Sequence, residues 1–139
     1  MQAPSAHNEQ PWLFIVVDEK DILEKVSDLG LYVKMAKKAP LGILVCGDLQ
    51  LQRAPGFWVQ DCSAAVQNML LAVTDMKLGA VWSGIYPQED LVKNYKSVFC
   101  LPENIIPFAF VVIGYPDEKL PRNDRYKEEK VRYNNWLRG

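Results

Sequence analysis

The sequence contains a single histidine, His7, and only three cysteines, Cys46, Cys62 and Cys100. No C-x-x-C pair occurs, and His7 lies far along the chain from all three cysteines. Zinc sites need several such ligands at short spacings, and a disulfide framework needs an even set of cysteines. We therefore expect neither, and we expect all three cysteines to be buried free thiols in a reducing cytoplasm.

Two further absences restrict the classes of partner. The 16 basic and 17 acidic residues leave a net charge of -1, so no basic field attracts nucleic acid. No apolar run approaches the roughly 20 residues that a bilayer span requires. The chain also does not open with a basic segment followed by an apolar one, which is the pattern of a secretory signal. We therefore expect neither nucleic acid nor a membrane as a partner.

The composition is that of a folded chain with a real core. Of the 139 residues, 49% are hydrophobic and 24% are charged, which is typical of globular domains and unlike disordered chains. A chain of this length fits one domain, and we predict a single domain over residues 1–139.

Apolar runs alternate with segments of helical periodicity. The longest periodic segment, residues 58–78, predicts a long helix that ends at a Gly79 cap. Asp18 is a plausible N-cap for the helix that follows it. Other helices are predicted over 31–38 and 88–95, and strands over 12–17, 41–46, 80–85 and 106–115. Because the strands are apolar on both faces, the pattern predicts a sheet covered by helices on both sides, of the α/β or α+β class.

Four segments carry a more specific signal. They are 3–12 (A-P-S-A-H-N-E-Q-P-W), 39–48 (A-P-L-G-I-L-V-C-G-D), 61–84 (beginning D-C-S-A-A-V-Q-N-M-L and ending L-G-A-V-W-S-G), and 113–126 (beginning I-G-Y-P and ending D-R-Y). In this order and spacing they closely resemble the FMN-dependent nitroreductase family.

The resemblance implies an α+β fold with a nitroreductase-like mixed β-sheet, flanked by helices on both faces, in a homodimer with FMN between the subunits. It also implies a ping-pong reaction, in which NAD(P)H reduces FMN and a flat small-molecule acceptor, such as a nitroaromatic or a quinone, is then reduced. The cofactor supplies the chemistry, and the protein supplies orientation, charge and access.

By the same resemblance, Pro4 and Ser5 approach the flavin with backbone and hydroxyl groups, and Asn8 bonds the ring edge or the ribityl chain. The alternative for Pro4 and Ser5 is a simple turn, since both residues favour turns. The alternative for Asn8 is capping of the loop backbone. His7 carries no catalytic role in this interpretation.

The segment Trp82, Ser83 and Gly84 ends a predicted strand. In the family, this stretch lies against one face of the flavin, and its amides bond the ring near N5. A glycine suits that position because no Cβ keeps the backbone away from a flat ring. The alternative is an ordinary bend at a strand end.

Arg125 matches the C-terminal arginine that reaches the FMN phosphate in the family, and a guanidinium pairs well with phosphate. Arg122 competes for this role, and a solvated charge in a polar tail is the alternative for both. Residues 116–139 form that tail, and its aromatic residues, Tyr133 and Trp136, lead us to expect that it docks on the partner subunit.

The chain departs from the family pattern at its start. Family members begin with a helix that carries an Arg-Arg-Ser-x-Arg-like motif, whereas this sequence starts at Met1-Gln2-Ala3-Pro4. We therefore expect the usual N-terminal helix and its arginines to be missing. The alternative function is accordingly a truncated nitroreductase-fold dimer that binds flavin weakly or not at all and has no enzymatic activity.

Overall fold

The computed structural model describes residues 1–118, 121 and 123–137. It contains four strands, three α-helices and several short 3-10 segments. The strands are β1 (Trp12–Val17), β2 (Leu41–Asp48), β3 (Gly79–Gly84) and β4 (Ile105–Gly114). The helices are α1 (Lys20–Ser27), α2 (Trp58–Asp75) and α3 (Glu89–Val98), and the 3-10 segments are Ala6–Asn8, Leu31–Lys38, Leu49–Leu51 and Glu128–Lys130. No helix in this described part of the chain has the length and apolarity needed to cross a membrane.

The four strands form one sheet in the order β1-β2-β4-β3. Each neighbouring pair is antiparallel, so within the described residues the sheet is antiparallel throughout rather than mixed. β4 is central and buried along nearly its whole length, whereas β3 forms an edge and is exposed along most of it. The edge position explains why β3 is not covered on both faces as its apolar sequence predicted.

Helices cover both faces of the sheet. On one face, α1, the Leu31–Lys38 segment and α3 enclose a core that includes Val26, Tyr95 and Phe110. On the other face, α2 packs its buried side chains, such as Val66, against the sheet. The predicted α+β architecture, with helices on both faces of the sheet, is confirmed.

Two predicted helix caps are wrong. The N-cap of α1 is Glu19 rather than Asp18. The helix α2 ends at Asp75, and Lys77 rather than Gly79 adopts the left-handed conformation that closes it, with φ 62°. The Lys77 amide donates to the Thr74 carbonyl and the next amide donates to the Val73 carbonyl, which is the Schellman arrangement. Gly79 is thereby free to begin β3.

The three cysteines have different environments. Cys46 and Cys62 are buried free thiols, as expected. The Cys62 thiol donates a hydrogen bond to the Cys46 carbonyl oxygen at 3.6 Å. Cys100 is exposed, which corrects the expectation that it would be buried. It lies just beyond α3 with φ 50°, at a turn that apolar patterning does not reveal.

This difference predicts the pattern of thiol reactivity. Burial raises the pKa of both Cys46 and Cys62 to about 12, so the reactive thiolate is nearly absent at pH 8. A disulfide reagent should therefore modify Cys100 quickly in the native protein and the other two only after denaturation. Spectrophotometric thiol titration with and without denaturant checks this. Rapid labelling of all three cysteines in the native protein would contradict the packing of α2 on β2.

Candidate functional site

The N-terminal segment, residues 4–10 (called loop 4–10 below), has an unusual backbone. His7, Asn8 and Gln10 have φ angles of 48°, 56° and 51°. Residues other than glycine adopt this left-handed region at a cost of about 1–2 kcal/mol each. Such strain persists only where surrounding contacts hold it, and it is frequent at binding sites.

Side chains within loop 4–10 support this conformation. The Gln10 backbone amide donates to the Ser5 Oγ at 3.0 Å, and the Gln10 Nε2 donates to the Asn8 Oδ1 at 2.9 Å. Ser5 and Asn8 thus use their oxygens as acceptors. Among the described residues, the Ser5 O–H and the Asn8 amide N–H groups have no acceptor, so they remain available as donors. Loop 4–10 therefore suits a ligand edge that is rich in acceptors.

The end of β3 lines an open cavity of about 600 Å³. Trp82, Ser83 and Gly84 line the cavity together with apolar residues such as Tyr32 and Leu91. A Cβ built on Gly84 meets no atom within 4 Å. The missing side chain therefore leaves the backbone of Gly84 uncovered at this end of β3.

Aromatic packing supports this end of β3. The Trp82 ring lies 5.7 Å from that of Phe108, and the Phe108 ring lies 6.0 Å from that of Trp58 in the first turn of α2. Trp58 in turn meets Tyr86 edge-on at 4.8 Å. Contacts of this kind fix ring orientation beyond simple burial. The sequence motifs did not reveal Trp58 and Phe108 as supports, because their roles depend on contacts between distant elements.

The tail behaves differently from the two regions above. Arg125 is exposed, and within the described residues its guanidinium has no hydrogen-bond partner. Arg122 lies outside the described residues. Tyr133 and Trp136 are 67% and 81% exposed, although the Arg132 guanidinium lies 5.6 Å from the Trp136 ring. On its own protomer the tail therefore leaves both aromatic side chains uncovered.

The predicted site residues thus fall into three regions, which are loop 4–10, the end of β3 and the tail. The structure brings Trp82, Ser83 and Gly84 together at one cavity, and it brings Ser5 and Asn8 together around Gln10. Neither loop 4–10 nor Arg125 contributes to the lining of that cavity. Among the residues that the structure describes, no group of His, Cys, Asp and Glu could hold a metal ion.

Comparison with known proteins gives consistent matches over nearly the whole chain. The model of the nitroreductase family matches residues 26–115. A protein of Methanothermobacter thermautotrophicus, named "Putative NADH dehydrogenase/NAD(P)H nitroreductase", is 46% identical over 136 residues, which cover 98% of this chain and 71% of the relative.

Solved structures agree with this assignment. A crystal structure from Clostridium acetobutylicum, named "Putative NADH Oxidase", has a TM-score of 0.94 at 39% identity. The match covers 98% of this chain and 82% of the Clostridium chain. An FMN-dependent nitroreductase from Clostridium difficile has a TM-score of 0.89 at 26% identity, and the match covers 97% of this chain and 82% of that protein. A protein from Desulfovibrio desulfuricans, named "putative nitroreductase" and solved in complex with FMN, has a TM-score of 0.79 at 27% identity. The match covers 97% of this chain and 78% of that protein. With this agreement among motifs, fold and relatives, the chain belongs to the nitroreductase family.

Proposed function

We propose that this protein is a cytoplasmic NAD(P)H-dependent oxidoreductase that binds FMN between two subunits of a homodimer. The observation that carries the proposal is the cavity at the end of β3, where Gly84 exposes its backbone beside Trp82 and Ser83. The names of the relatives, which include NAD(P)H nitroreductase and FMN-dependent nitroreductase, point to the same chemistry.

The residues present fit a flavin. A flat ring needs a backbone without a protruding side chain to lie against, and Gly84 provides one. The oxygens and bare nitrogens of the flavin ring edge are acceptors, and the free O–H of Ser5 and the free amide N–H groups of Asn8 are donors. Apolar side chains such as Leu91 also line the cavity, where they exclude water from a bound ring.

When bound, FMN supplies the redox chemistry, taking a hydride from NAD(P)H and then reducing a nitroaromatic, a quinone or a similar flat acceptor. The protein's own task is to hold the ring in place and to exclude water from it. Trp82, kept in place by Phe108, and the bare backbone of Gly84 set where the ring lies. Because the cavity is open toward solvent along the exposed edge of β3, a flat second substrate can reach the same place.

The separation of the three regions supports a homodimer. Loop 4–10 and Arg125 do not line the cavity at β3 in one protomer, so a second copy is needed to supply them to the same ligand. Large apolar side chains remain exposed on α2, just beyond its end and on β3, including Leu71, Met76, Val81 and Trp82. Exposed apolar surface of this kind marks an interface. We further propose that the tail, residues 116–139, docks on the partner subunit.

An activity assay tests the proposal. We expect purified protein with added FMN to oxidise NADH or NADPH when a nitroaromatic or a quinone is present, with parallel-line kinetics that indicate a ping-pong reaction. Light scattering should give the mass of a dimer. A protein that stays colourless in excess FMN and leaves NAD(P)H unoxidised would instead support the inactive, weakly binding alternative.

Replacement of Arg125 tests the phosphate contact. Arg125→Ala should weaken FMN binding roughly tenfold or more, because a charge-assisted bond to phosphate contributes about 1.5–3 kcal/mol. Riboflavin, which has no phosphate, should bind both proteins equally. Titration of each flavin by fluorescence quenching measures the effect. Arg132→Ala is the matched control, since Arg132 is also exposed in the tail and faces Trp136 instead. An equal loss of affinity for riboflavin and for FMN would show that Arg125 does not contact the phosphate.

A further inference from the structure

Asp61 is a buried carboxylate that the proposed chemistry does not use. It lies in the first turn of α2 and is only 4% exposed. Its Oδ1 accepts a hydrogen bond from the Ala6 backbone amide at 3.0 Å. Its Oδ2 is also buried and has no partner within the described residues. A carboxylate removed from water with so few partners lowers stability, so its position calls for a local reason.

The surroundings of Asp61 compensate for part of this cost. The start of an α-helix carries partial positive charge, which favours a carboxylate there. The one side-chain hydrogen bond of Asp61 reaches across 55 positions of sequence to loop 4–10. Asp61 therefore links the long helix to the segment that carries Ser5 and Asn8.

A second carboxylate secures the other end of the same loop. The Glu9 Oε1 accepts from the backbone amides of Arg53 and Ala54 at 2.7 and 2.8 Å. Between Ala6 and Glu9 lie two of the left-handed residues, His7 and Asn8. The strained part of loop 4–10 is thus held at both ends by carboxylates, one of which, Asp61, belongs to a rigid helix.

We infer that Asp61 is a positioning residue, whose carboxylate fixes the Ala6 amide and thereby holds the Ser5 and Asn8 donors in the arrangement that binds FMN. This inference rests on the proposed function. Without the anchor, loop 4–10 relaxes toward conformations without left-handed residues, and FMN binding must then order it again. Preorganisation of a binding loop contributes affinity by removing that cost.

Three variants test the inference. Asp61→Leu keeps an apolar side chain of similar size but has no acceptor, whereas Asp61→Asn keeps an oxygen that accepts from Ala6. Ala6→Pro removes the donor and leaves α2 unchanged, and the extended backbone of Ser5, with φ -141° and ψ 153°, is compatible with a following proline. Ser63→Ala is the control, because the Ser63 Oγ donates only to the Val59 carbonyl within α2.

Two measurements are made on each protein. Hydrogen exchange of the apoprotein reports the protection of residues 4–10, and fluorescence titration reports the Kd for FMN. We expect Asp61→Leu and Ala6→Pro to speed exchange in loop 4–10 and to raise the Kd roughly tenfold or more. Asp61→Asn should stay within about threefold of the parent Kd, a change smaller than the 1.4 kcal/mol that corresponds to tenfold. Ser63→Ala should match the parent in both measurements.

Parent-like exchange and a parent-like Kd in Ala6→Pro would overturn the inference, even if Asp61→Leu failed to fold. A lowered thermal midpoint without any change in Kd would also overturn it, because that result indicates a purely structural role. If the parent protein itself does not bind FMN, the proposed function fails and the FMN role of Asp61 fails with it. The exchange data on the apoprotein would still show whether Asp61 holds loop 4–10.

Discussion

Gly84→Val should weaken FMN binding roughly a hundredfold or more, equivalent to about 3 kcal/mol, while leaving the fold intact. Gly84 does not have a left-handed φ, and a Cβ there meets no protein atom within 4 Å. The new side chain is therefore tolerated by the protein. It fills the open space beside the strand end, on the face of β3 that carries the Trp82 side chain, where we expect it to obstruct a ring that lies against this backbone. Equilibrium titration with FMN and thermal unfolding of the apoprotein measure the two effects separately.

Ala80→Val is the matched control for this experiment. Ala80 lies on the same face of β3 four residues earlier, is exposed, and does not line the cavity at Gly84. It should leave the Kd for FMN unchanged. If Gly84→Val binds FMN as tightly as the parent protein, the ring does not lie against the end of β3, and the proposed site is in the wrong place.

Gly42→Ala should produce a large loss of stability from a single methyl group. A Cβ on Gly42 would lie 2.3 and 2.5 Å from two atoms of the Phe110 ring, far inside van der Waals contact. Phe110 is fully buried and packs against the rings of Tyr95 and Phe99, so it cannot move aside. We expect the free energy of unfolding to fall by about 3 kcal/mol, at the upper end for overpacking.

Chemical denaturation measures this change directly, and for a chain of this size the thermal midpoint should fall by about 10 °C. Gly114→Ala is the control, since a Cβ there lies 3.5 Å from the Pro40 Cδ, which is an ordinary contact. Its stability should change by less than about 1 kcal/mol. If the two variants unfold alike, the close packing of β2 on Phe110 is not as the structure has it.

The sequence was informative wherever burial follows the local period of a helix or strand. The strand β1 was predicted with its observed bounds, and the bounds of β4 differ by only one residue at each end. The β4 run is apolar because this strand is central and buried on both faces, whereas β1 is an edge strand whose apolar run is only partly buried. The motifs likewise placed Trp82, Ser83 and Gly84 at a strand end, and in the structure that strand end lines a cavity.

Contacts between distant segments were not predictable in the same way. No local pattern indicates that Asp61, within an apolar helix, bonds the Ala6 amide. Similarly, no pattern shows that Lys77 rather than Gly79 takes the left-handed position after α2, because the choice depends on where β3 must begin. Periodicity records which side of an element is buried, whereas these features depend on single polar contacts and on chain geometry.

The most direct test of an FMN site shared by two subunits is the stoichiometry of FMN binding. Apoprotein of known concentration is titrated with FMN while flavin fluorescence and dimer mass are followed. We expect saturable binding of one FMN per chain, two per dimer, with the visible absorbance of a bound flavin. Protein that remains free of flavin at a large excess of FMN, or that binds it as a monomer, would contradict the proposal of a cofactor held between two subunits.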